Sequence, residues 1–348
     1  MRPILGITMG DPAGVGPEIT VKALADASLY VCCRPVVFGD MAAIADAVAF
    51  TGSHLRIRPV ASAREAPGEH GTIDLVDAGL LAPGGWQYGK VDAACGEAAY
   101  QYIERAIHAA MRKEIAGVVT GPINKEALNR SGHHYSGHTE IFADLTGSKH
   151  YAMVLSTDTL RVIHVTTHVS LRDACDRLTR DRVLEVIRLA QEACRLFGIA
   201  SPRIAVAGLN PHCSENGLFG HEEAESIEPA VQAAKAEGIC AEGPLPPDSV
   251  FVRAVAGEFD IVVAMYHDQG HIPLKLTGFR LDPKTGAYTA MGGINSTVGL
   301  PIIRTSVDHG TAFDRAGKNL ANPQSMTDAI RLAVQMAHVR AERNAECR

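Results

Sequence analysis

An α/β fold with largely parallel strands is what this sequence predicts, on three observations. Short apolar runs alternate with longer helix-period segments along the chain. Nearly every apolar run ends in a polar, glycine-containing cluster. The 348 residues are enough to bury a substantial core, either in two ordinary domains or in one large unit.

PILGITM (3–9) reads as the first buried strand. GDPAGVGPE (10–18) then has the strand, glycine turn and helix order of an anion cradle, with Pro17 suited to the first helical turn. A plain tight turn explains the same residues equally well. The segment is not GxGxxG, and no Walker GxxxxGK[ST] occurs, so neither Rossmann nor kinase nucleotide binding is supported. A helix over 92–113 leads to strand AGVVTG (116–121), and GHTEIFADLTG (137–147) reads as a turn followed by a helix. Its first turn holds His138 and Thr139 beside free backbone N–H groups, which attract anions, although Thr before Glu is also an ordinary helix start.

Strands YAMVLS (151–156), LRVIHVT (160–166), RIAVAGL (203–209), DIVVAMY (260–266) and PIIRTS (301–306) follow, with helices over 178–197, 220–237 and 325–344. Helical crossovers are then expected on both sheet faces. Ligands of open α/β sheets lie outside the carboxyl ends of strands, so the polar clusters at those ends are expected to converge on one cleft. No internal repeat or low-complexity linker divides the chain.

Apolar residues make up 46% and charged ones 21%, which excludes a disordered or fibrous chain. Against 33 Lys and Arg stand 39 Asp and Glu without long basic runs, so a small-molecule partner is expected rather than nucleic acid or an anionic membrane. No apolar stretch approaches the roughly 18 residues that span a bilayer. The N-terminus MRPILGITMGD enters a strand pattern without a signal-peptide core, so the cytoplasm is the expected address. Cysteines 32, 33, 95, 175, 194, 213, 240 and 347 form no CxxC pair, as expected of reduced thiols; Cys213 stands out because it follows a candidate metal ligand.

That ligand is His212. His168 follows strand 160–166, His212 follows 203–209 and His267 follows 260–266, so three imidazoles occupy equivalent strand ends. Three neutral imidazoles suit zinc or another divalent transition metal and leave positions open for substrate. The alternative is that some of the 15 histidines fall in loops by chance, and no HxH or HExxH pattern decides between the two. Nearby in sequence lie Asp248, Asp268, Lys275, Asn295 and Arg304. Arg as a bidentate fork and Lys as a point charge suit an anionic substrate, and a phosphorylated acid satisfies both. Exposed surface charge is the ordinary fate of such residues, though Lys275 in IPLKLTG has an apolar setting.

Taken together, GDPAGVGPE, TGPINK, SGHTE, TTHVSLRD, GLNPH, GPLPPDS, AMYHDQG and GLPIIRTSVDHGTAFDRAG resemble the 4-hydroxythreonine-4-phosphate dehydrogenase family of vitamin B6 biosynthesis and its paralogues, over almost the whole chain. The resemblance implies an isocitrate/isopropylmalate dehydrogenase-like two-domain α/β fold with a cleft between domains. The expected division is 1–128 plus 302–348 for the first domain and 129–301 for the second, which carries the metal site and dimer interface. It implies divalent-metal ligands at His168, His212 and His267, contributed across a homodimer with a shared active site, with Zn, Mn, Co, Ni or Mg as the ion. It further implies substrate contacts at His138, Thr139, Lys275, Asn295 and Arg304. HGTAFDRAGKNLANP (309–323) is similar to the loop that holds the adenosine half of NAD(P) in β-decarboxylating dehydrogenases, which implies cofactor contacts at His309, Gly310, Thr311 and Asn322. In such a site the metal stabilises the developing alkoxide and hydride passes to NAD or NADP. Lys275 and Asp248 are the candidate proton carriers, since a Lys desolvated near a metal has a depressed pKa.

Two departures bear on the substrate. The stretch 276–300 is longer than expected for the vitamin B6 enzyme, and GLNPHCSENGLFG replaces an NPHAGE-like loop. Both point to the paralogous branch that oxidatively decarboxylates 4-phospho-D-threonate or 4-phospho-D-erythronate to dihydroxyacetone phosphate. The alternatives are 4-hydroxythreonine-4-phosphate dehydrogenase itself and, third, a related dihydrodiol dehydrogenase. From other classes come a zinc hydrolase or aldolase, which would not need the 309–323 loop, and a catalytically dead binding protein.

Overall fold

The computed structural model describes residues 2–283 and 288–346. It divides into two compact units, Met1–Lys149 with Leu300–Arg348, and His150–Gly299. The first segment of unit 1 thus runs past the 128 expected from sequence, and α6, defined below, belongs to it.

In unit 1 the chain forms β1 (Ile4–Thr8), α1 (Gly16–Leu24), α2 (Ala27–Cys32), β2 (Arg34–Gly39), α3 (Met41–Thr51), β3 (Arg56–Pro59), β4 (Thr72–Asp77), α4 (Ala93–Met111), β5 (Gly117–Thr120), α5 (Lys125–Arg130) and α6 (His138–Thr146). Unit 2 follows with β6 (Ala152–Ser156), β7 (Arg161–His164), α7 (Leu171–Asp176), α8 (Arg180–Leu196), β8 (Ile204–Ala207), α9 (Glu228–Ala236), β9 (Ala241–Leu245), α10 (Val250–Val255), β10 (Ile261–Ala264), α11 (His267–Gly278), β11 (Phe279–Leu281), β12 (Tyr288–Met291) and β13 (Ile294–Val298). The chain then returns to unit 1 as β14 (Ile303–Val307) and α12 (Gln324–Glu346).

The six strands of the unit 1 sheet run in the order β3-β4-β2-β1-β5-β14, all parallel. Its core strands are buried on both faces, with Leu5, Ile7, Val36, Val37, Val118 and Val119 wholly inaccessible. That is the expected consequence of helical crossovers on both sides, and it explains why these segments read as continuous apolar runs. Beyond their carboxyl ends β1 leads to residues 10–15, β5 to 121–124 and β14 to 308–323.

The loop after β1 makes a tight return. A methyl group on Gly16, the first residue of α1, would lie 2.0 Å from the Met9 carbonyl oxygen, so helix and strand end touch through backbone alone. Pro17 occupies the first turn of α1, where its missing N–H costs nothing.

In unit 2 the order is β13-β6-β7-β10-β8-β9. β7, β10, β8 and β9 are parallel, whereas β6 pairs antiparallel with both β13 and β7. The departure from parallel geometry has a local cause. β6 and β7 are joined by a short turn in which the Thr157 N–H donates to the Leu160 carbonyl at 2.8 Å, too short for a crossover helix. The three adjacent parallel strands β7, β10 and β8 carry His168, His267 and His212 beyond their carboxyl ends, so the equivalence expected from sequence holds at the level of topology.

Gly16→Ala should test the close approach after β1. Overpacking costs on the order of 1–3 kcal/mol, so thermal melting should fall by several degrees; an unchanged melt would show that α1 can shift to admit a methyl.

Candidate active site

In unit 1 the site begins with Arg304. β14 pairs with β5 in register (Arg304 opposite Val118, Ser306 opposite Thr120), and the Arg304 side chain is only 1% exposed. Its Nη2 donates to the Thr120 hydroxyl at 3.1 Å, and its Cζ lies 5.8 Å from the centre of the Phe142 ring on α6. Burial pushes the guanidinium down to about 9, with Glu140 working the other way, so it stays charged at neutral pH.

His138 opens α6, whose N-cap is Gly137 and has no side-chain cap. The ring Nε2 is shielded from solvent and has no hydrogen-bond partner among the described residues. Burial, then the Arg304 charge and the Lys125 ammonium hold the imidazole well below its ordinary pKa, against a backbone hydrogen bond to Gly121. A neutral imidazole, a buried guanidinium and the N-terminal end of α6 thus meet in one corner, a combination whose chemistry suits an anion. Asp11 borders the same loops: its N–H donates to the Pro122 carbonyl at 2.8 Å and burial pushes its carboxyl up to about 6.

The 309–323 loop is anchored within unit 1. The Val15 N–H donates to the Thr311 carbonyl at 3.0 Å, the Ala321 N–H donates to Glu18 at 2.7 Å and Lys22 donates to the Ala321 carbonyl at 2.8 Å. Glu18 is itself buried and paired with Lys22 at 2.7 Å. His309 Nδ1 lies 2.9 Å from the Gly310 carbonyl, and the Asn322 side chain accepts from the Gln324 N–H at 2.8 Å, which commits it to starting α12.

Unit 2 carries a cluster of imidazoles larger than the sequence suggested. His168 and His267 lie with ring centres 5.7 Å apart. His271, one turn along α11, stacks on His267 at 3.6 Å, and His164, the last residue of β7, lies 4.8 Å from His271. Its Nε2 is buried without a partner among the described residues. Burial followed by the neighbouring His271 pushes the His164 imidazole down to about 3, and burial followed by His267 pushes His271 down to about 4. Gly270 makes the room, since a methyl there would lie 2.4 Å from His164 Nε2. Sequence reading missed both residues; the spacing 267, 271, 275 on one helix face was the available signal.

His212 lies in an unusual backbone. Residues 212–216 all have positive φ (52°, 54°, 67°, 46° and 59°), a left-handed turn closed by Gly217 at 94°. Each such non-glycine residue costs roughly 1–2 kcal/mol, so the turn persists only because it is held. Glu223 holds it: its carboxylate accepts from the N–H groups of Leu209 (2.8 Å) and Asn210 (2.7 Å), from Asn210 Nδ2 (2.9 Å) and from the Ser214 hydroxyl. The nearest ring to His212 is Phe219 at 6.5 Å.

Among the described residues of the single chain, no group of three or more His, Cys, Asp or Glu side chains is placed to hold a metal ion. The chain brings His168 and His267 together but does not bring His212 to them. The individual donors nevertheless fit a divalent transition metal. His267 Nδ1 pairs with the Asp268 carboxylate at 2.6 Å, which leaves Nε2 as the ligating nitrogen in the manner of carboxylate-oriented metal histidines.

The remaining candidates are more open. Lys275 is exposed, with Nζ 5.1 Å from the centre of the Phe279 ring, so within one chain it is not the desolvated amine expected from its apolar neighbours. Asp248 is exposed and acts electrostatically on Cys213, while Asn295 lies on β13 opposite Leu155. The long stretch 276–300 forms the antiparallel pair β11–β12, with 284–287 outside the described residues, as is Cys347.

Comparison with known proteins places this geometry. Residues 31–333 match the PdxA family, described as pyridoxal phosphate biosynthetic protein PdxA. The chain is 48% identical over 340 residues to D-threonate 4-phosphate dehydrogenase of Cupriavidus necator, covering 97% of this chain and 98% of that one. The crystal structure of 4-hydroxythreonine-4-phosphate dehydrogenase from Klebsiella pneumoniae superposes with a TM-score of 0.85 at 45% identity, covering 97% of this chain and 98% of the other. A β-decarboxylating dehydrogenase from Thermococcus kodakarensis shares the fold at a TM-score of 0.51 and 14% identity, covering 98% of this chain and 84% of that one. The isocitrate dehydrogenase-like fold expected from sequence is therefore the fold of this chain.

The buried imidazoles predict a pH dependence. A histidine held below its unfolded value of 6.5 binds fewer protons when folded, so its contribution is complete above pH 6.5 and is lost as pH falls toward about 3 for His164. Asp11, raised to about 6, acts in the opposite direction between its unfolded value and that pH. Denaturation of metal-free protein from pH 7 to 4 should lose at most about 1.4 kcal/mol per pH unit for each such histidine. His164→Asn should flatten the slope, and an equal slope would remove His164 as its source.

Proposed function

The chain belongs to the PdxA family, and on that premise we propose that it is a metal-dependent NAD(P) dehydrogenase for a phosphorylated four-carbon 3-hydroxy acid. The proposed substrate is D-threonate 4-phosphate or D-erythronate 4-phosphate, and the products are dihydroxyacetone phosphate and carbon dioxide. The coarse activity, oxidation of a CH–OH group of a phosphorylated hydroxy acid, is common to the named relatives and is the activity of this enzyme. The observation that carries the reading of an anionic substrate is the buried Arg304 beside a neutral His138 at the start of α6, because a guanidinium next to a helix N-terminus suits phosphate or carboxylate. The 48% identity to a D-threonate 4-phosphate dehydrogenase favours the four-carbon acid over the amino compound named for the Klebsiella structure.

His138, Thr139 and Arg304 bind the anionic end of the substrate, with Asn295 and Lys275 as further contacts. His168, His212 and His267 hold a divalent cation, the set being completed across a homodimer. His309, Gly310, Thr311 and Asn322 contact the dinucleotide, and anchorage of their loop to α1 keeps that surface in place. The chemistry supplied by the bound groups is polarisation of the substrate hydroxyl by the cation and acceptance of hydride by the dinucleotide. Lys275 and Asp248 carry protons, one away from the hydroxyl and one to the carbon that loses carboxylate. Among the described residues no helix is long and apolar enough to cross a membrane, and a cytoplasmic site of action accords with a diffusible substrate.

Purified enzyme with NAD or NADP and a divalent metal should reduce the dinucleotide with D-threonate 4-phosphate or D-erythronate 4-phosphate and release dihydroxyacetone phosphate. Exclusive turnover of 4-hydroxythreonine 4-phosphate would overturn the branch assignment, and reduction of neither dinucleotide would favour a zinc hydrolase or aldolase. Arg304→Met should raise KM on the order of 100-fold, about 3 kcal/mol. Lys275→Met should lower kcat on the order of 100-fold or more while sparing metal binding, and unchanged turnover would remove Lys275 from the proton path.

A further inference from the structure

We infer that Glu223 is the positioning residue for His212, setting the imidazole for metal binding by clamping the left-handed turn from both sides. The inference rests on the reading of His212 as a ligand given above. Residues 212–216 have no sequence reason to run left-handed together, since only His212 and Asn216 among them are of types enriched in that region, and Cys213, Ser214 and Glu215 between them are not. The restraint comes from outside the turn. One oxygen of Glu223 takes the backbone N–H groups of Leu209 and Asn210, just before His212, and the other takes Asn210 Nδ2 and the Ser214 hydroxyl, just after it. A single carboxylate therefore ties the two feet of the loop that presents His212.

The same foot is registered to the helix that carries His267. Gln269 Nε2 donates to the Gly208 carbonyl at 2.7 Å, and the Met265 N–H donates to Gln269 Oε1 at 2.6 Å. Glu222 adds a second acceptor for Asn210 Nδ2 at 2.7 Å, but it does not reach Ser214 and cannot replace the clamp. Among the described residues, Glu223 is the side chain from outside the turn that is bonded on both sides of His212. An ordinary buried cap would stabilise the protein as a whole, whereas this one acts on a turn whose conformation matters chiefly for where one imidazole points.

Glu223→Gln keeps size and shape but replaces one acceptor oxygen with a donor NH2, so the bond from Asn210 Nδ2 is lost and Ser214 can only accept where it donated to a carboxylate. In the full-length protein, Zn2+ or Mn2+ affinity is measured by chelator competition, with His212→Ala as the reference. Glu223→Gln is expected to weaken metal binding on the order of 10- to 100-fold. Amide exchange of residues 209–217 should accelerate, and kcat should recover at saturating metal, which global destabilisation would not produce. Ser214→Ala, which removes one bond, should weaken binding to a smaller degree and serves if the glutamine variant fails to fold. Metal affinity weakened by His212→Ala but unchanged in both Glu223→Gln and Ser214→Ala would overturn the positioning role alone. Unchanged affinity in His212→Ala would overturn both that role and the three-histidine reading.

Discussion

Burying a guanidinium inside a parallel sheet is the most demanding arrangement in unit 1, and its surroundings are ordered by that demand. A charge removed from water is costly unless it is paired and hydrogen-bonded. Arg304 lies on β14, a strand from the C-terminal part of the chain that pairs with β5, and its side chain is buried there. Thr120 gives it a hydroxyl, Phe142 gives it a ring face, and α6 is oriented with its uncapped start nearby. Burial, and after it the Arg304 charge, keep His138 neutral. A buried guanidinium, the Glu140 charge that acts on it and the start of α6 thus meet in one corner of unit 1.

Unit 2 solves a different problem with the same type of loop. His164 and His271 are held neutral by burial and then by the imidazoles beside them, and a neutral ring is the form that ligates a metal. Rigidity is built into the two loops that carry ligand candidates. Gln269 bridges the end of β8 to α11, and Glu223 holds a turn that would not otherwise form. Orientation is fixed by residues that never touch substrate, which is the general pattern of metal sites.

Much of this was legible in the sequence where burial is complete on both faces. ILGIT, GVVT, AMVLS, IAVA and IVVA appear as apolar runs, and each became a strand within a residue or two of its expected span. β2, β3, β4, β9 and β13 did not stand out, because RPVVFG and AEGPL contain proline, RIRP and TIDLVD alternate polar with apolar, and INSTV is short and polar. The antiparallel turn between β6 and β7 was likewise invisible to a pattern built on crossovers. At the site, the positions of His138 and Arg304 followed from helix-start and strand signals. His164, His271 and Glu223 were hidden because their importance lies in what they touch across the fold, which periodicity does not encode.

The three histidines after β7, β8 and β10 illustrate the distinction between topological and geometric equivalence. Adjacent parallel strands guarantee that all three emerge at one sheet edge, and the chain then brings His168 and His267 to 5.7 Å. His212 leaves the same edge on a left-handed turn whose direction is set by Glu223, and no three-ligand group forms within the single chain among the described residues. On the proposed metal reading, ligand orientation then matters more than ligand proximity. Two imidazoles alone would bind a divalent ion weakly, so a third has to be presented in a fixed direction. The strain accepted at residues 212–216 is intelligible on those terms, because a relaxed turn at the same place would leave His212 free to point elsewhere.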